Sequence, residues 1–190
     1  TTFVVEWGSE WTVQHATVVG TNGANGADAA GAYTTAAIEP VSRAKTWVWG
    51  TGTRSDAGIG DCAESCLVTL GDGVNANATE STVAVGSEYT DAYSFDVYAL
   101  THPGLAVDYR FKPDGDRSAL DLPVGVNAVP SGARFAWSYN GCSGTSSRFP
   151  RPRFWSRYTA DDTVTLSRGY DGADFPAWLQ GIDFSGMNLD

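Results

Sequence analysis

The side chains able to do chemistry are few. There are two histidines, His15 and His102, and three cysteines, Cys62, Cys66 and Cys142. His15 falls in an alternating, strand-like run and His102 in a short linker-like stretch. A Ser-His-Asp or Cys-His site therefore has little material to work with. An odd cysteine count is a poor disulfide framework and fits a reducing compartment, although a Cys62–Cys66 bridge across a loop remains open. No second C-x-x-C or nearby histidine completes a zinc site. Asp161/Asp162 and Asp114/Asp116 are carboxylate pairs of the kind glycosidases use, but adjacency in sequence does not set their separation in space. In "PDGDRSALD", Asp114, Asp116 and Ser118 offer oxygen ligands. Ala119 stands where a calcium loop needs glycine, and Gly125 where it needs glutamate, so a turn is expected. We expect no catalytic residue, no metal ligand and no cofactor, and hence no enzyme.

Two other groups stand out. "RAKTWVWGTG" carries Trp47 and Trp49 one residue apart, so both indoles leave an extended strand on one side. "SRFPRPRFWSR" gathers Arg148, Arg151, Arg153 and Arg157 among Phe149, Pro150, Pro152, Phe154 and Trp155 in an otherwise acidic chain. Arginine interleaved with aromatics and proline suits a loop that docks on an acidic protein surface. The alternative for that loop is pairing with the chain's own carboxylates. Trp47, Trp49, Arg148, Arg151, Arg153, Trp155 and Arg157 are the expected partner-binding residues.

The elements that must carry these residues are strands. The 190 residues include 7 Trp, 8 Tyr, 8 Phe and 22 Gly, and threonine and valine outnumber leucine about two to one, a mixture that favours β structure. No helical periodicity runs beyond two turns. Short alternating runs bounded by Gly, Asn, Asp and Pro appear instead: "WTVQHATVV", "YTTAAIEPV", "KTWVWG", "SCLVTLG", "STVAVG" and "YSFDVYAL". The glycines of "GTNGANGADAAG" do not sit between a strand and a helix, so they make a loop and not a phosphate cradle. The formal charge of −10 disfavours nucleic acid, whose phosphates need a basic field. No run of about 18 apolar residues predicts a membrane span, and "TTFVVEWGSE" lacks the basic start and long apolar core of a signal peptide.

Set against itself, the chain shows an internal correspondence. "AVDYRFKP", "ALDLPVGVNAV", "ARFAWSYN", "RFWSRYTA", "DTVTLSRG" and "AWLQGIDF" follow the six runs above in the same order. This predicts an all-β chain of two tandem small antiparallel β-sandwiches, residues 1–100 and 101–190, from an internal duplication. "THPGL" would link them. In this alignment Val48 meets Trp137, while Trp47 and Trp49 meet Ala136 and Ser138. The indoles are then expected on an outer face that only the first half furnishes. A one-residue slip would reverse the assignment. An outward pair fits packing against the other half, an anchor at a protein interface, or a stacking platform for sugar rings.

"VQHATVV…TTAAIEPVSRAKTWVWGTGTRSD" and "TADDTVTLSRGYDGADFPAWLQGIDF" resemble the front and back of a repeat in bacteriophage virion proteins, a small β-sandwich related to H-type lectin domains. The matching elements are Val13-Gln14, Ala44-Lys45, Thr163-Val164-Thr165 and "WLQGIDF". The resemblance implies a virion structural protein made in the bacterial cytoplasm, either a capsid decoration (cement) protein or a tail or fibre component. Its partners would be a major capsid protein or another virion protein, and its own copies in a homo-oligomer. The alternative it implies is a lectin-like component that binds a glycan in host recognition. No sugar-binding cluster transfers residue by residue.

Overall fold

The computed structural model describes residues 8–20, 33–54, 66–73, 77–87, 92–112, 120–123, 134–140, 154–160, 163–168 and 177–187. They form an all-β chain of twelve strands. These are β1 (Thr12–Gly20), β2 (Tyr33–Ser42), β3 (Thr46–Arg54), β4 (Cys66–Leu70), β5 (Thr79–Ser87), β6 (Tyr93–Thr101), β7 (Ala106–Lys112), β8 (Leu120–Pro123), β9 (Arg134–Asn140), β10 (Phe154–Ala160), β11 (Thr163–Arg168) and β12 (Ala177–Asp183). Each falls on one of the six alternating runs read from the sequence or on one of the six segments matched to them. A 3-10 turn, Arg43–Lys45, joins β2 to β3.

The strands make four three-stranded antiparallel sheets: β1-β6-β3, β2-β5-β4, β7-β12-β9 and β10-β11-β8. Adding six to each strand number of the first two sheets yields the last two. All four sheets therefore draw their strands from one half of the chain or the other, in the same order.

The "YSFDVYALT" pattern shows why β6 sits at the centre of its sheet. Tyr93, Phe95, Val97 and Ala99 alternate inward and are buried, while Ser94, Asp96 and Tyr98 turn out. Val18 of β1 and Val48 of β3 join that inner face, and Val68, Leu70, Val83 and Val85 meet it from the β2-β5-β4 sheet. Each such fully buried aliphatic side chain contributes roughly 1.5–3 kcal/mol of transfer free energy. Polar side chains also tie the two sheets. The Tyr93 hydroxyl bonds Thr34 Oγ1 at 2.8 Å and the Val85 carbonyl at 3.1 Å. Gln14 of β1 donates to the Glu39 carbonyl and accepts from the Glu39 N–H, at 3.2 and 2.7 Å. Glu39 lies where the β2–β5 register shifts, between Ala37 and Val41, and the glutamine supplies partners to its N–H and C=O. After β4, Gly71 takes φ +88° against the Glu80 carboxylate, a conformation and a closeness that a side chain would not tolerate.

One apolar cluster runs through both halves. Leu105, Val107, Tyr109, Trp178 and Ile182 of the second half pack with Val48, Leu67, Val68 and Val97 of the first. On its opposite face β12 buries Leu179 and Asp183, and Val164 of β11 is also inaccessible. The β7-β12-β9 sheet is thus covered on both sides at β12.

Candidate docking face

Pairing registers place outward residues in rows across β1-β6-β3. Val13, Leu100 and Trp47 form the first row, where Leu100 is already buried; His15, Tyr98 and Trp49 form the second, and Thr17, Asp96 and Thr51 the third. Directly opposed side chains on one face of a sheet touch. In the second row the Tyr98 ring stacks on His15 (centroids 4.8 Å apart, planes 28°) and on Trp49 (5.2 Å, 29°). His15 and Trp49 belong to strands on either side of β6, so both ring faces of Tyr98 are taken. The three rings make a stacked ridge. Trp49 is 37% exposed and Val13 43%. Trp47 shares the face but is half-buried against the core.

The third row is polar and fixes the second. Asp96 Oδ1 accepts from Thr17 Oγ1 at 2.8 Å and lies 2.9 Å from His15 Nε2. The Thr17 hydroxyl, then the His15 imidazole, hold the Asp96 carboxyl below the usual carboxylate range. This is not the geometry of an activated nucleophile. The hydroxyl proton points at the carboxylate, whereas nucleophilic catalysis requires it on the imidazole. The carboxylate orients the imidazole against Tyr98, so the polar row positions the aromatic one. His102, the other histidine, shapes a turn. Its Nδ1 accepts from the Gly104 N–H at 3.0 Å, so the ring proton is on Nε2, which faces Glu10 at 3.1 Å. Trp11 packs on the same imidazole, with centroids 5.0 Å apart.

The same rows recur on β7-β12-β9. Matching the inward faces of β6 and β12 aligns Thr101 with Asp183, and the pairings then carry Thr12 onto Ala106 and Thr46 onto Arg134. Val13/Leu100/Trp47 becomes Val107/Ile182/Phe135. His15/Tyr98/Trp49 becomes Tyr109/Gln180/Trp137. Thr17/Asp96/Thr51 becomes Phe111/Trp178/Tyr139. Here the face is closed by the first half. Gln180 donates to the Val48 carbonyl at 2.8 Å and accepts from the Val48 N–H at 2.9 Å. The Tyr109 hydroxyl donates to the Thr46 carbonyl at 2.7 Å. Both target β3, the last strand of its sheet, so two side chains satisfy the backbone groups that a further strand would otherwise pair. Trp178 Nε1 donates to the Tyr33 hydroxyl at 2.9 Å. Arg43 closes the seam: Nη1 bonds the Leu70 carbonyl and Glu80 Oε1, and the guanidinium lies 4.5 Å over the Tyr109 ring and 5.9 Å from that of Trp178.

Of the residues picked out in the sequence, Trp47 and Trp49 share the outer face, with Val48 fully buried behind them. The reason given for that placement needs correcting. The register aligns Val48 with Ala136, one residue from the sequence match with Trp137. Phe135 and Trp137 therefore hold the positions of Trp47 and Trp49, and the aromatic pair is common to both halves. Trp155 and Arg157 lie two apart on β10, opposite Ser167 and Thr165. Arg148, Arg151, Arg153, Cys62, Cys142, Asp114, Asp116 and Asp161/Asp162 fall outside the described residues, and Cys66 opens β4. Sequence reasoning weighed His15 only for catalysis, and missed Tyr98, Asp96 and Gln180. Alternation in "YSFDVYAL" placed Asp96 and Tyr98 together, but nothing local says that β1 and β3 flank that strand. Among the described residues no three metal-binding side chains cluster, and no helix is long and apolar enough to cross a membrane. No protein-family model, curated protein or solved structure matches the chain.

Proposed function

We propose that this chain is a non-enzymatic structural protein of a bacteriophage virion, in the manner of a capsid decoration protein, that docks on a protein partner through the outer face of β1-β6-β3. The observation that carries the reading is the exposed His15–Tyr98–Trp49 ridge, set where the corresponding face of the second half is buried against protein. Aromatic anchors at the centre of a patch with a polar rim are the usual composition of an interface. The acidic chain and the resemblance to virion repeats agree with it. The arginine-rich segment from Arg148 to Arg157, whose last four residues lie on β10, is the second contact on this reading.

The test is fractionation of particles from the host that makes this chain. We expect it to co-purify with virions, and Trp49→Ala with Tyr98→Ala to release it. Recovery only as free protein sinks the reading. Arg151→Glu with Arg153→Glu tests that segment separately: unchanged attachment removes it from the interface.

A lectin-like tail or fibre component is the second reading, favoured by the exposed Trp49 indole near Asp96 and Thr17. The stack works against it, since a sugar platform needs a free ring face and Tyr98 has none. A glycan array that shows binding lost in Trp49→Ala would select this reading over the first.

A further inference from the structure

We propose that His15 is a proton switch on the open β1-β6-β3 face: its Nδ1 edge accepts a hydrogen bond at neutral pH and donates one in mild acid, while the ring itself stays in place. The switch belongs to the free chain. Its effect on binding rests on the docking reading above and gives that face a regulation.

The ring is fixed from two directions. It stacks on Tyr98, with centroids 4.8 Å apart, and its Nε2 lies 2.9 Å from Asp96 Oδ1. A carboxylate can only accept, so Nε2 carries the proton and donates. Nδ1 is then the acceptor nitrogen of the neutral ring, and no described residue donates to it. The side chain is 48% exposed, so water can deliver a proton.

Imidazole is the side chain whose charge ordinarily changes between about pH 8 and pH 5. Over that range Asp96 remains a carboxylate, because the Thr17 hydroxyl, then the imidazole, hold its carboxyl below the usual range. The incoming proton therefore goes to Nδ1. It leaves the Nε2–H bond to Asp96 and the stack on Tyr98 undisturbed. The outer edge turns from acceptor to donor, and the His15–Asp96 pair goes from a single negative charge to none. The surroundings do not compete for this role. On β1 the outward neighbours are Val13 and Thr17, on β6 Asp96 and the Tyr98 phenol, and on β3, beyond Tyr98, the Trp49 indole. Glu39 of β2 meets β1 at Gln14 through its backbone. Among the described residues Asp96 is the charged group that contacts the ring.

The charge has a consequence for whatever covers the face. Taking an uncompensated carboxylate out of water is costly, and one with its counter-charge beside it is covered at lower cost. Covering the second and third rows therefore favours the protonated ring, and docking takes up a proton.

The experiment has two arms. Nitrogen-15 NMR of the full chain from about pH 8 to about pH 5 reads the proton on each imidazole nitrogen, with His15→Gln assigning the signals. We expect the Nε2–H form at neutral pH, protonation of Nδ1 in mild acid, and a Tyr98–His15 ring contact that persists throughout. An Nδ1–H form at neutral pH, or a ring that leaves Tyr98 on protonation, overturns the switch. Asp96→Asn should raise the share of the Nδ1–H form, and an unchanged share overturns the part given to Asp96. The second arm measures attachment to purified virions in mild acid and at neutral pH, for the natural chain and for His15→Gln, which keeps a donor for Asp96 but takes no proton. Relative to the variant, the natural chain should gain attachment in acid, by up to roughly tenfold per pH unit for one proton. Equal pH dependence in the two, or attachment lost in acid by the natural chain alone, overturns the proton-linked docking. Absence of attachment at every pH sinks the docking reading together with that linkage, whereas the switch stands or falls on the NMR alone.

Discussion

The outer faces of β1-β6-β3 and β7-β12-β9 share strand order, register and an aromatic pair, yet one is sealed inside the chain and the other meets solvent. Four positions account for the difference. Tyr109, Gln180, Phe111 and Trp178 on the sealed face become His15, Tyr98, Thr17 and Asp96 on the open one. Gln180 suits burial because a primary amide can donate and accept at once, answering both the C=O and the N–H of Val48. Asp96 suits exposure, because a carboxylate in a dry seam costs far more than its neighbours return. Similar scaffolds thus yield a permanent joint and an available one through a handful of hydrogen-bonding choices.

The largest effects should come from the sealed face. Arg43→Met strips the counter-charge from Glu80, which is 5% exposed, and removes the cation from the Tyr109 ring. We expect a loss of about 3–4 kcal/mol in denaturant unfolding. Gln180→Leu leaves the Val48 N–H and C=O without partners in the seam and should cost about 3 kcal/mol. Tyr98→Leu, at the corresponding open position, should cost about 1 kcal/mol. Equal losses at positions 180 and 98 would break the contrast between the faces. Tyr109→Phe removes one hydroxyl bond and should cost about 1 kcal/mol.

The smallest effect is a pH dependence on the open face. The Asp96 carboxyl is held low by Thr17 and His15. Its contribution is therefore present above the unfolded carboxylate value of about 3.9 and disappears as pH falls through the lower folded value. The stability difference between the natural chain and Asp96→Asn should be steady near neutrality and vanish in acid. A difference that persists at the acid end would show that the carboxylate plays no part in holding the row.

Much of the fold was legible beforehand, because strand period and turn residues are local signals. Six strands lie on runs found by alternation and six on the segments matched to them, and the order of the six pairs agrees with the strand orders of the sheets. The outward placement of Trp47 and Trp49 was also legible, but through an alignment one residue out of register. That slip survived because "TWVW" and "RFAWS" both alternate large and small groups, so either phase looks plausible without the pairing partner. The ridge itself was not legible. His15, Tyr98 and Trp49 are far apart in sequence and meet only once β6 has been inserted between β1 and β3. The role of Gln180 was hidden for the same reason, since its partner Val48 is 132 positions away.

The two glutamines that satisfy backbone with side chains, Gln14 at Glu39 and Gln180 at Val48, have a consequence for solubility. A strand laid along β2 or β3 would satisfy the same groups but present a fresh row of its own to the next molecule, the route by which sheets recruit strangers and grow into fibres. An amide side chain ends the row. It answers one residue's donor and acceptor and offers no further template, so at Glu39 and at Val48 an incoming strand meets an interrupted row.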